Sequence, residues 1–108
     1  MSDEDQTPLP ASFVALFVPR GRARPTESRA VIAARHDLCE DMAQLLTEHA
    51  RTMLFSLSLT EDLVLERIHR GLLEPAAGLA PAEAGWVTRR LAELLGWAAP
   101  ELPPAAQD

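Results

Sequence analysis

The side chains able to do chemistry are few and scattered along this chain. His36, Cys39 and Glu40 stand at i, i+3 and i+4, so on a helix they share one face and could touch a single metal ion. One helix supplies at most three ligands, whereas a zinc site takes four and outer support. Cys39 therefore reads as a small core residue, with His36 and Glu40 as solvated neighbours. His49 stands among Met42, Leu45, Leu46 and Met53 and reads as a buried, hydrogen-bonded core histidine. Cys39 and His49 cannot act as nucleophile and base, because their separation on one helix is about 15 Å along the axis. Ser56, Ser58 and His69 form no recognisable triad with them. The five glycines, at 21, 71, 78, 85 and 96, lack the spacing of a phosphate cradle, and without any lysine a P-loop lysine is impossible. The expectation is no catalytic residue, no metal site and no cofactor.

Two features could instead recognise another molecule. The run Arg20-Gly21-Arg22-Ala23-Arg24-Pro25, with Arg29 just beyond, places four arginines in a short stretch leading into a helix. Arginine forks carboxylates and phosphates bidentately, and a helix N-terminus adds positive potential. The plainer alternative is a solvated loop pairing with the protein's own acids. The second feature is Trp86, Arg90 and Trp97, which with Glu93 fall on roughly one side of a helix, off its core stripe. Tryptophan and arginine are the usual anchors of interfaces; the alternative is that the indoles pack under the N-terminal arm. Arg20, Arg22, Arg24, Arg29, Trp86, Arg90 and Trp97 are the expected partner-binding residues.

The elements that must carry these residues are marked by proline. Prolines stand at 8, 10, 19, 25, 75, 81, 100, 103 and 104, and none between Thr26 and Glu74. A proline inside a helix costs about 3 kcal/mol, so the free stretch is where long helix is allowed. The first long helix is expected after Pro25, with Thr26 as N-cap and Glu27 in the first turn, ending near Ser56 or Ser58. Ile32, Cys39, Leu46 and Met53 form its apolar stripe, flanked by Leu38, Met42, Leu45, His49, Leu54 and Leu57. Its opposite face holds Arg35, Asp37, Asp41, Gln44, Glu48 and Arg51. Thr60 should cap a second helix with Val64, Leu65, Ile68 and Leu72 on its apolar side. A third should run from Pro81 to about Leu95, with Gly96 closing it and Val87, Leu91, Leu94 and Leu95 facing the core. The apolar run at 13–18 is of strand length, but the chain offers no second strand; a short helix or docked arm is favoured over a strand pairing with a mate.

Composition sets the outer limits. All ten cations are arginine, the formal net charge is −6, and the abundance of alanine with no tyrosine favours helix over strand. The acidic balance argues against general binding to nucleic acid or anionic membrane. One cysteine gives no disulfide framework, no apolar run approaches a membrane span, and no signal peptide is evident, which together suggest a cytoplasmic protein. The expected organisation is an acidic disordered tail at 1–11, a docked arm and arginine-rich loop at 12–25, a helical domain at 26–97 and a disordered tail at 98–108. The fold class is all-α: a small three-helix bundle with one long helix. Two short helices laid along the long one would cover only one side of its stripe, leaving the other for a second copy in a dimeric bundle.

The blocks SFVALFVPRGRARP at 12–25, RHDLCEDMAQLLTE at 35–48 and AGWVTRRLAELLGW at 84–97 resemble a family of short proteobacterial proteins often labelled "ATPase with chaperone activity". The resemblance spans most of residues 12–97 and implies chaperone-type activity; it carries over no catalytic residue. With no P-loop in the chain, its chaperone or adaptor half is the part these residues could serve. The sequence thus points to a non-enzymatic adaptor, regulator or chaperone-like factor binding a protein partner with an acidic or apolar surface. The other readings are a helix-turn-helix DNA binder using Arg89 and Arg90, and a metal- or nucleotide-responsive protein.

Overall fold

Among the described residues, the prolines and caps mark out four α-helices. The computed structural model describes residues 8–102. It holds α1 (Ala11–Val14), continued by a 3-10 turn (Ala15–Phe17), then α2 (Arg29–Ser56), α3 (Glu61–Leu72), a second 3-10 turn (Pro75–Ala77) and α4 (Pro81–Leu95). There is no strand among the described residues. The fold is all-α. The chain separates into two units, one ending at Asp37 and one beginning at Leu38. No helix among the described residues is long and apolar enough to cross a membrane.

In the first unit the apolar run at 13–18 is a short helix with its 3-10 extension, not a strand. It begins at Ala11, inside the segment expected to be tail; residues 1–7 lie outside the described residues. The Pro10 carbonyl accepts from the N–H groups of Phe13 and Val14 at 3.0 and 3.1 Å. Phe13 is fully buried, with the Phe17 ring 5.6 Å away and the His36 ring edge-on at 5.3 Å. Thr26 does not cap α2. Its N–H and hydroxyl both donate to the Phe17 carbonyl, at 2.8 and 3.2 Å, and so close the loop that carries the arginines. With Thr26 committed to that closure, α2 starts later. Ser28 takes the cap, its Oγ accepting from the Val31 N–H at 3.2 Å.

The second unit is a three-helix bundle of the rest of α2 with α3 and α4. Buried positions on α2 here are Cys39, Ala43 and Ala50, and two residues past its end Ser58 is left-handed, at φ +54°. The Leu59 N–H then reaches back to the Leu54 carbonyl at 3.2 Å, the closure usually built on glycine. Thr60 caps α3 as the sequence indicates, its Oγ1 accepting from the Leu63 N–H at 3.3 Å, with Glu61 and Asp62 in the first turn. Val64, Leu65, Ile68 and Leu72 are buried, and α3 packs on α4. Pro81 opens α4, where buried Glu83 turns back to accept from the Ala80 N–H at 2.9 Å. Gly96, at φ +74°, lets the Trp97 N–H close onto the Ala92 carbonyl at 2.9 Å.

Replacing Thr60 with Ala should lower unfolding free energy by about 1 kcal/mol in urea titrations. Thr26→Ala, which removes no helix cap, should leave the helix content by circular dichroism unchanged. Ser58→Gly should raise stability by up to about 1 kcal/mol by relieving the left-handed strain.

Candidate functional site

Of the Trp86–Arg90–Trp97 docking face expected from the sequence, the structure buries Trp86. Residues 83–88 of α4 are all buried, so the first half of this helix is enclosed on every side and Trp86 is only 9% exposed. Helical periodicity sets Trp86 off the main stripe, but a helix enclosed all round has no outer stripe in that stretch. Trp97 is half-buried just beyond the Gly96 turn.

Arg90 is likewise committed inside the protein. Its Nε and Nη2 donate to the two Glu40 oxygens at 2.8 and 3.0 Å, and its Nη1 donates to Glu93 at 2.9 Å. Gln44 Nε2 donates to the same Glu40 carboxylate at 2.8 Å. This forked pair joins α4 to α2 across fifty positions of sequence. Hydrogen bonding to Glu40, and then to Glu93, holds the guanidinium still more firmly protonated than usual, against a small opposing effect of burial. An arginine so engaged has little left to offer a partner.

The other chemistry-bearing residues also separate. Cys39 is fully buried. Glu40 is spent on Arg90, and the His36 ring lies against Phe13. Among the described residues no group of three histidine, cysteine or acidic side chains is placed to hold a metal ion. His49 is exposed, not a core histidine, because the buried side of α2 lies along Cys39, Ala43 and Ala50, away from it. The buried histidine is His69, on α3. The sequence analysis considered His69 only as a triad member and did not place it in the core.

Two surfaces remain open. Arg20, Arg22, Arg24 and Arg29 are all exposed, with the turn at Gly21 (φ +76°) held by the Arg22 N–H donating to the Pro19 carbonyl at 3.0 Å. The second surface is on α2, where Leu38 and Leu45, expected as flanks of its core, are 39% and 78% exposed. Phe55, which the sequence assigned to neither face, is also 78% exposed, and Leu57, just past the end of α2, is 53% exposed. Leu38 and Leu45, seven residues apart, lie on one side of the helix, with half-buried Met42 between them and exposed Asp41 and Glu48 alongside. The readable signal was an apolar stripe too wide for two short helices to cover. The α3–α4 connection, residues 73–80, is longer than the three- or four-residue turn of a helix-turn-helix. The chain matches no protein-family model, no curated protein and no solved structure.

Burial, and secondarily the nearby Arg89 charge, lowers the proton affinity of His69 below the usual histidine value of 6.5. The unfolded chain therefore binds a proton at this residue more readily than the folded one as pH falls through 6.5, so acid favours unfolding. Thermal melts should show stability lost between pH 7.5 and 5.5, and His69→Gln should flatten that loss. A double-mutant cycle on Glu40→Gln and Arg90→Gln should give a coupling of about 1 kcal/mol that shrinks in molar salt.

Proposed function

We propose that this protein is a non-enzymatic interaction factor, an adaptor or chaperone-like accessory, that binds a protein partner along the exposed apolar side of α2. The observation that carries this reading is the exposure of Leu45 and Phe55, each 78%, on one regular helix. Burying one such side chain is worth about 1.5–3 kcal/mol, and several together on one side of a helix are what a partner helix covers. Large apolar side chains left exposed on one helix face, as Leu38 and Leu45 are, are of the kind that interaction sites use.

Charge selects among partners. Asp41 and Glu48 border the apolar side, so a partner helix with basic residues beside its apolar stripe fits best. Pairing of two copies about a two-fold axis with antiparallel helices sets this acidic border against itself, which disfavours the homodimer. The arginine loop at 20–24 is a second contact, suited to an acidic patch on the partner. The fully buried Cys39 thiol is shut off from substrate, in keeping with a non-catalytic role. The resemblance to proteins labelled as chaperones agrees with an apolar surface kept open. Trp86 and Arg90 are not part of this reading.

Affinity capture from the native host, read by mass spectrometry, tests it. Leu45→Glu should reduce partner recovery at least about tenfold without lowering the melting temperature, since this side chain is exposed; unchanged recovery removes the α2 surface from consideration. Arg22→Glu with Arg24→Glu should weaken capture and reduce its salt sensitivity, and no change would eliminate the loop. Light scattering of the purified chain should give the monomer mass; a dimer that Leu45→Glu dissolves would make the partner a second copy.

A further inference from the structure

The loop between α1 and α2 carries charge that the protein does not spend on itself. From residue 8 to residue 26 the chain holds Arg20, Arg22 and Arg24 and no acidic side chain, although acids outnumber cations sixteen to ten in the whole sequence. All three arginines are exposed, and none of them forms an ion pair among the described residues. Arginines on the helices do find acids: Arg70 pairs with Glu66, and Arg90 with Glu40 and Glu93. Pairing with the protein's own acids, the plainer reading of this run, is therefore not what the described loop shows.

The loop is also built to hold its shape. Its two ends are tied where the Thr26 N–H and hydroxyl both donate to the Phe17 carbonyl, nine positions away. Inside that closure the Arg22 N–H donates to the Pro19 carbonyl at 3.0 Å across Gly21, whose φ of +76° suits glycine. Pro19 and Pro25 fix φ near either end. Compact surface loops with joined ends frequently carry function. A backbone ordered beforehand also loses less entropy when a ligand arrives.

We propose that this closed loop is a recognition site for a short linear acidic segment of a protein, a run of aspartate and glutamate side chains; this rests on the interaction reading above and gives its second contact a chemistry. Arginine grips a carboxylate with two parallel N–H···O bonds, so three unspent guanidinium groups within five residues suit several carboxylates close together in sequence. Nucleic acid and anionic membrane suit the loop less. Both extend well beyond three arginines and meet the acidic surplus of the rest of the chain, whereas a short peptide segment engages the loop alone.

The test is fluorescence anisotropy of labelled probes titrated with the full chain. The probes are acetyl-DEDEDE-amide, its uncharged counterpart acetyl-NQNQNQ-amide, and a thymidine oligonucleotide equal in charge to the acidic peptide. The acidic peptide should bind saturably, at least about tenfold more tightly than either control, with affinity falling as salt rises. Arg20→Lys, Arg22→Lys and Arg24→Lys together keep the charge but remove the forks, and should weaken the peptide by about fivefold or more. Oligonucleotide binding as tight as the peptide's, or affinity unchanged by the lysine exchange, would reduce the loop to diffuse positive charge and overturn the proposal. Peptide binding seen only after removal of residues 1–7, which include Asp3, Glu4 and Asp5, would make the protein's own segment the occupant and overturn it as well. No peptide binding while Leu45→Glu still abolishes partner capture fails the loop alone; peptide binding with capture indifferent to Leu45→Glu fails the α2 surface alone.

Discussion

The buried side of α2 in the second unit is made of Cys39, Ala43 and Ala50, side chains with very little apolar area. Small residues allow close approach of neighbouring backbone but add little burial, so the bulk of the apolar core there must come from the other helices. Leu65, Leu91, Val64 and Val87 on α3 and α4 are the large side chains that are fully enclosed. Leu45 and Phe55 of α2 point elsewhere, while Met42, Leu46, Met53 and Leu54 are half-buried. This division of labour follows from geometry: a helix buried through its alanines leaves its leucines to the other side of the cylinder.

A bundle with so little apolar area on one helix benefits from a directional tie. The Glu40–Arg90 fork provides one between α2 and α4, with Gln44 and Glu93 completing the hydrogen bonds of the two charged groups. Both partners are only about a quarter to a third exposed, so the pair specifies how the helices register more than it adds raw stability. It also removes Arg90 from recognition. The residue types that make good interface anchors, arginine and tryptophan, are here used internally, and the leucines and phenylalanine of α2 take the exposed role.

Much of the candidate surface was present in the sequence as a surplus. Leu38, Leu45 and Leu57 were visible as flanks of an apolar stripe wider than two short helices can cover, and the 20–24 arginines were visible as a cationic run in an acidic chain. The assignment of sides was not. Periodicity reports which residues share a helix face but not which part of a broad apolar face meets the core, and a shift of one position in the packed stripe exchanges Cys39 and Ala43 for Leu38 and Met42. The same ambiguity misplaced His49 inside and Trp86 outside.

What the sequence by itself determined is local. The proline-free stretch allowed α2, Thr60 and Pro81 set the starts of α3 and α4, and Gly96 set the end of α4, because caps, fixed φ angles and left-handed turns are decided within a few residues. The start of α2 shows where that rule stops: Thr26 has the chemistry of a cap, but a carbonyl nine positions away, on Phe17, claims its hydroxyl and passes the role to Ser28. Only the tertiary structure decided which polar groups are spent inside, which leucines stay in water and which histidine loses its solvent. Those outcomes depend on distances between helices, and no pattern along a single helix encodes them.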